Sequence, residues 1–187
     1  MGDVLKAIAE RSSIRAYTDE KLTVNEIMAI VNAGLQAPTA ANRQEVHISV
    51  VDGSNSVLSE IEEEKRRLIL ESDADEVTKE KAKNSPNNFY YSAPTVLVLS
   101  VDKGFYWGKL DAGIAVQNIA LAAQSLGLGS LIIGCVDGAF KGEKGIKFAK
   151  ALKFPENYEF AIAVAVGHKN TEKMPHEFDL DKSTSFI

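Results

Sequence analysis

Residues 110–134 read LDAGIAVQNIALAAQSLGLGSLIIG, and this stretch decides how the chain folds. From Leu110 to Leu126 the run is long and apolar on nearly every side, the pattern of a central helix buried inside a domain. Gly127 suits the left-handed residue that ends such a helix. Gly127-Leu128-Gly129-Ser130 then reads as the turn, and Leu131-Ile132-Ile133 as the start of a strand that stops at Gly134.

The rest of the chain supplies the layers around that helix. Thr95 to Val101 is a near-continuous apolar run, expected of a strand buried on both faces. Phe160 to Val166 alternates larger residues with Ala before Gly167, and Val46 to Val51 is β-branched, so both read as strands. Val4, Leu5, Ile8 and Ala9 have helical spacing within residues 2–10. Thr23 and Glu26 form a capping box for a helix that continues through Ile27, Ile30, Val31, Gly34 and Leu35 to about Ala37, where Pro38 stops it. Gly145 to Leu152 reads as a short helix. The segment from Ser54 to about Asn84 is charged, with little apolar surface, and reads as a solvated helical excursion. A loop at Asn84-Ser85-Pro86-Asn87-Asn88 and an aromatic cluster at Phe89-Tyr90-Tyr91 follow it. About four strands with five or six helices give an α+β fold. With no internal repeat or linker-like stretch, residues 1–187 read as a single domain. The strand-like tail Ser183-Thr184-Ser185-Phe186-Ile187 is suited to pairing with a sheet edge, its own or that of a neighbouring subunit.

Composition narrows the function. A net charge of -5 over 187 residues, with basic and acidic groups interspersed, argues against nucleic acid. No apolar run approaches the roughly 20 residues of a membrane span, and the N-terminus lacks a secretory h-region, so the expected location is cytoplasmic. A single cysteine, Cys135, excludes an internal disulfide and reads as a small buried hydrophobe. His47, His168, His176 and Cys135 have no metal-ligand spacing, so no metal is expected.

Two polar segments stand apart from this framework. Arg11-Ser12-Ser13-Ile14-Arg15-Ala16-Tyr17 packs two guanidinium groups and two hydroxyls into five residues, a set suited to an anion with several oxygens, most simply a phosphate. Ala37-Pro38-Thr39-Ala40-Ala41-Asn42-Arg43-Gln44 is a tight polar loop in which the amides of Asn42 and Gln44 each donate and accept, as the edge of a heterocycle requires. Together they point to a nucleotide-like cofactor.

These two segments, the helix-turn-strand from Asp111 to Gly134 and the strand from Phe160 to Gly167, in this order and spacing, resemble the FMN-dependent nitroreductase family over most of the chain. The resemblance implies a nitroreductase-like α+β fold: a central mixed, mainly antiparallel sheet flanked by helices, in a homodimer with swapped tails. It implies FMN sites in the dimer interface and NADH or NADPH as electron donor. Nitroaromatics, quinones or similar small molecules are the implied acceptors. It places Arg11, Ser12, Ser13 and Arg15 on the FMN phosphate and pyrimidine side. Pro38, Thr39, Ala40 and Asn42, with Gln44 nearby, fall in the loop that reaches the flavin from the other subunit. Ile133, Gly134 and Cys135, preceded by Ile132, match the strand end whose backbone approaches flavin N5 and O4. No side chain is implied as a catalytic acid or nucleophile, since the flavin carries the chemistry. Phe89, Tyr90, Tyr106 and Trp107 are candidates for the wall facing the flavin.

The chain departs from the family pattern in three places. Glu45-Val46 stands where relatives often have Pro-Trp. The basic pair that relatives carry after the last strand is replaced by a tail in which Lys169, Lys173 or His176 fills the role, with Lys173 and His176 taken as candidates. The segment that holds a substrate-covering helix in some relatives is short and charged here. Alternative readings are an FMN-binding storage or sensing protein without NAD(P)H turnover, a flavin-dependent dehalogenase or desaturase type, and a flavin-free domain that holds a phosphorylated metabolite.

Overall fold

A computed structural model of the protein describes residues 2–84 and 89–187. The chain runs α1 (Asp3–Glu10), α2 (Val24–Leu35), β1 (His47–Asp52), α3 (Ser56–Glu71), α4 (Glu76–Asn84), β2 (Thr95–Asp102), α5 (Gly108–Ser125), β3 (Leu128–Ile133), α6 (Gly142–Ala151), β4 (Tyr158–His168) and α7 (Leu180–Ser183). Short 3-10 turns lie at Ala40–Asn42 and Asp137–Phe140. The expected strands are all present, and the helices exceed the five or six anticipated because the charged excursion contains α3 and α4 and the tail contains α7. The Ser85–Asn88 part of the expected loop lies outside the described residues.

The sheet order is β1-β2-β4-β3, and each pairing between these strands is antiparallel. A parallel element enters only as a bridge between Ser13 and Ser130. The inner strands β2 and β4 are covered on both faces, as the apolar run of β2 requires. One face of β2 turns Leu97, Leu99 and Val101 toward α5 and α2, and the other turns Val96 and Val98 toward α3, α6 and the Asp137–Phe140 turn. Gly34 lets α2 approach α5 closely: a Cβ there would lie 2.8 Å from the Ile119 side chain. Thr23 and Glu26 form the expected capping box, Thr23 Oγ1 accepting from the Glu26 amide at 3.2 Å and the Glu26 carboxylate accepting from the Thr23 amide at 2.7 Å.

The structure corrects four expectations. β3 begins at Leu128 instead of Leu131, because Gly127, at φ 77°, completes the turn alone and Leu128 already pairs with His168. The charged excursion is also part of the core: Val57, Leu58 and Ile61 are buried against the sheet. Its charges fasten elements together, for Glu64 accepts from Lys144 of α6 at 2.5 Å and from Arg67 at 2.6 Å, which holds its carboxyl down to about 2. α5 is buried along one side only. Ala112, Ala115, Val116, Ile119 and Ala123 are buried against the sheet and α2, while Leu110, Gly113 and Gln117 are exposed on the side that neither covers. Finally, the tail does not pair with a strand of its own chain among the described residues; Ser183 closes α7, and Phe186 and Ile187 are exposed.

Thr23→Ala removes one half of the capping box. The expected outcome is a loss of about 1 kcal/mol, read as a lower denaturant midpoint with an unchanged slope.

Candidate cofactor site

The Arg-Ser segment is organised by a period of two. Ser12 and Ile14 are buried, so Arg11, Ser13 and Arg15 lie on the open side. Ile14 is the plug: its amide donates to the Ser130 carbonyl at 3.0 Å, and its side chain fills the space that a Cβ on Gly129 would occupy, at 2.9 Å. Tyr17 ties the segment down, its hydroxyl donating to the carbonyl of Ile14 at 2.9 Å. Burial raises that hydroxyl's pKa far above the usual phenol range, so it remains a donor. The start of the tail laces onto the same segment, with Thr18 N–H on the His168 carbonyl and Asn170 N–H on the Ala16 carbonyl, both at 3.0 Å.

No carboxylate among the described residues pairs with Arg11 or Arg15. Arg15 reaches only the Ser13 carbonyl at 3.4 Å and the Tyr91 ring at 5.9 Å. Two uncompensated guanidinium groups beside a serine hydroxyl form an open set of anion donors. Of the tail candidates, Lys173 and His176 are exposed, and no described contact brings them to this segment. Lys169 is the tail cation that the backbone places here, paired across from Tyr17, with its ammonium donating to Gln124 at 3.2 Å.

β3 then runs from Ser130, beside the arginines, to its end at Ile133, about 10 Å along the strand. Ile133 is buried, while Gly134 and Cys135 are exposed. The exposure of Cys135 corrects the reading of a buried hydrophobe: it lies past the strand end, outside the buried part of β3. Its thiol is nonetheless pushed above the ordinary value by desolvation, which does not favour a thiolate nucleophile. A Cβ on Gly134 would meet nothing within 4 Å, so packing among the described residues does not call for a glycine there.

The polar loop is held from below. Ala40 N–H donates to Asp111 Oδ2 at 3.0 Å, Thr39 Oγ1 accepts from the Gln44 amide at 2.9 Å, and Gln44 Nε2 donates to Asn42 Oδ1 at 3.0 Å. Ala41, Asn42 and Gln44 have φ of 53°, 52° and 52°, left-handed backbone that is strained for residues other than glycine. Pro38 is exposed at its start. Arg43 stacks over the Phe105 ring at 4.1 Å and lies 3.4 Å from Asp102.

The aromatic candidates separate cleanly. Tyr90 is 3% exposed and Phe89 packs against the core, so neither is a wall in this chain. Tyr106 is 86% and Trp107 47% exposed, edge to face at 4.8 Å. They sit one helical turn before Asp111, whose amide donates to the Trp107 carbonyl at 2.9 Å, and therefore beside the polar loop. No described hydrogen bond, ion pair or ring contact joins that loop to the Arg-Ser segment. Among the described residues no acidic, histidine or cysteine cluster is arranged for a metal, and no helix is long and apolar enough to cross a membrane.

The sequence model of the nitroreductase family matches residues 8–168. The chain belongs to this family. As a nitroreductase-family member it superposes on the crystal structure of a nitroreductase with bound FMN from Desulfitobacterium hafniense, at TM-score 0.90 and 33% identity, covering 100% of this chain and 99% of that one. An FMN reductase [NAD(P)H] of Bacillus subtilis is 30% identical over 160 residues, covering 74% of this chain and 56% of the relative. An NADPH-flavin oxidoreductase of Vibrio harveyi is 27% identical, covering 94% of this chain and 70% of that protein.

Asp111→Ala removes the buried acceptor beneath Ala40. The expected result is a loss of about 1–3 kcal/mol and faster hydrogen exchange at the Ala40 amide than at neighbouring α5 amides.

Proposed function

We propose that this chain, as one domain over residues 1–187, is an FMN-dependent oxidoreductase that takes electrons from NADH or NADPH and reduces nitroaromatics, quinones or similar acceptors. The observation that carries the reading is the pair of unmatched arginines at one end of β3 and the unfilled space over Gly134 at the other. An anion and a flat ring joined by a short chain fit that span. Arg11, Ser13 and Arg15, with Lys169 behind them, hold the phosphate and the pyrimidine edge. Ser12, buried, contributes backbone only, and Lys173 and His176 remain candidates for an ordered tail. Backbone N–H groups at Gly134 and Cys135, following Ile133, hold the ring edge.

Bound FMN supplies the hydride chemistry, from nicotinamide through N5 to the acceptor. The chain supplies position and charge: a guanidinium near the pyrimidine stabilises negative charge that develops there on reduction.

The site takes its second half from a second copy. The Pro38, Thr39, Ala40, Asn42 and Gln44 loop lies away from the arginines of its own chain, and α1 turns Val4, Leu5 and Ile8 to the outside at 69%, 59% and 49% exposure. An apolar helix face of that kind, together with the uncovered side of α5, supports the reading of a homodimer interface. The free edge of β1, beside a cleft of about 370 Å³ reaching Leu152, suits the partner's strand-like tail. In this arrangement Tyr106 and Trp107 travel with the loop to the partner's flavin and offer planar acceptors a stacking surface.

The deciding experiment is a visible spectrum after excess FMN and desalting, followed by anaerobic NADH and then NADPH. Retained flavin that bleaches supports the proposal, retained flavin that does not bleach supports storage or sensing, and a colourless protein rejects the site. Arg15→Ala is expected to weaken FMN binding by about 10- to 100-fold with little change in Tm, since a charge-assisted contact is lost. Gly134→Ala is expected to weaken it too, while the apoprotein melts as before. Trp107→Ala is expected to raise KM for a quinone several-fold and leave the rate of flavin reduction by NAD(P)H unchanged, measured by stopped flow.

A further inference from the structure

Glu45 stands where the polar loop turns into β1. It is 7% exposed, yet neither carboxylate oxygen is reached by a well-aligned donor among the described residues. An ionised carboxylate in that state is strongly disfavoured. The acidic group it faces is Asp111 of α5, 3% exposed and already accepting the Ala40 amide through Oδ2. Two carboxylates in contact inside a protein do not both ionise; one keeps a proton and gives it to the other as a hydrogen bond.

Of the surrounding groups, Arg43 and the Glu45 amide favour the ionised form, but burial and Asp111 outweigh them. Arg43, on Glu45's own loop, makes its direct contacts with Asp102 and the Phe105 ring and acts on Glu45 only through its charge. Tyr158 of β4 is the remaining titratable neighbour, and the negative charges of Glu45 and Asp102 help to raise its own hydroxyl. The loop needs an outside tie, because Ala41, Asn42 and Gln44 are all held in left-handed backbone.

We propose that Glu45 is a positioning residue: it keeps its proton and donates it to Asp111, and this shared hydrogen pins the Thr39–Gln44 loop on α5 in the shape that presents Asn42 and Gln44 to the flavin. The proposal rests on the reading of that loop as a flavin contact. The same arrangement makes cofactor affinity fall as pH rises. Burial, with Asp111 adding to it, raises the Glu45 carboxyl above its ordinary value, so the folded state holds this proton more tightly than the unfolded chain. The contribution is complete below the ordinary carboxylate range and is lost as pH rises through the raised value.

The test uses the intact protein between about pH 5 and about pH 9, reading FMN affinity by fluorescence quenching and the apoprotein Tm at each pH. In Glu45→Gln the amide donates to Asp111 without titrating. Its affinity is expected to stay near the low-pH value, while the unsubstituted protein weakens about ten-fold relative to it as pH rises. The phosphate of FMN titrates identically in both proteins and cancels in the comparison. In Asp111→Asn the side-chain amide donates to the ionised Glu45 carboxylate, so the loop stays tied as Glu45 loses its proton and the fall in affinity is expected to shrink. Superimposable pH profiles of affinity and Tm for the unsubstituted protein and Glu45→Gln overturn the proposal. Absence of FMN binding by all three proteins overturns the flavin reading instead, and the apoprotein Tm profiles then decide alone whether the proton is shared.

Discussion

The structure depends on burying β2 and β4 on both faces. Val96 through Leu99 of β2 and Ala163 through Val166 of β4 are all 0% exposed, so each face of this central pair must carry a helical layer. One layer is α5 with α2, the other α3 with α6, and two separate apolar clusters result. Burial of that kind is the dominant favourable contribution to folding, and here it also fixes topology. With β2 and β4 in the middle, β1 and β3 are left as edges.

The edges are where the candidate site residues gather. Along β3, Ile14 occupies the first part of the edge and thereby sets the register of Arg11, Ser13 and Arg15 with respect to Ser130. Near the start of β1, the polar loop rests on the first turn of α5 through Asp111, so the most buried helix of the domain also supports its most strained loop. Strain stored in three left-handed residues persists only because this support is rigid. The Arg-Ser segment is thus built on β3 and the polar loop on α5, with no described contact between the two segments.

Much of this was legible in the sequence where the signal is local or periodic. The capping box at Thr23 and Glu26, the left-handed Gly127 and the apolar run of β2 depend on neighbouring residues or on simple patterning, and all are found as expected. The Arg11 to Tyr17 segment was readable as a cluster of anion donors because that follows from residue chemistry alone, without any tertiary contact. Harder to read were features set by distant partners. The charges of α3 masked Val57, Leu58 and Ile61, and Glu64 looks like any surface glutamate until Lys144 of α6 is placed against it. The aromatic group at Phe89 to Tyr91 and the pair Tyr106 and Trp107 are equivalent as composition; only packing buries the first and opens the second. Glu45 carried one hint, as a charged residue where relatives often have proline, and nothing in its neighbours pointed to Asp111.

The sequence by itself determined the fold class, the strands and main helices, the family and the chemical character of the two polar segments, because period, capping and donor content are properties of short stretches. The tertiary structure alone decided which candidates are open: Arg11, Ser13 and Arg15 over Ser12, Lys169 beside the anion donors instead of Lys173 or His176, and an exposed Cys135. It also decided that Glu45 lies against Asp111, sixty-six residues along the chain. Exposure and long-range contact follow from how the sheet and α5 close around one another, and no local pattern of residues encodes that closure.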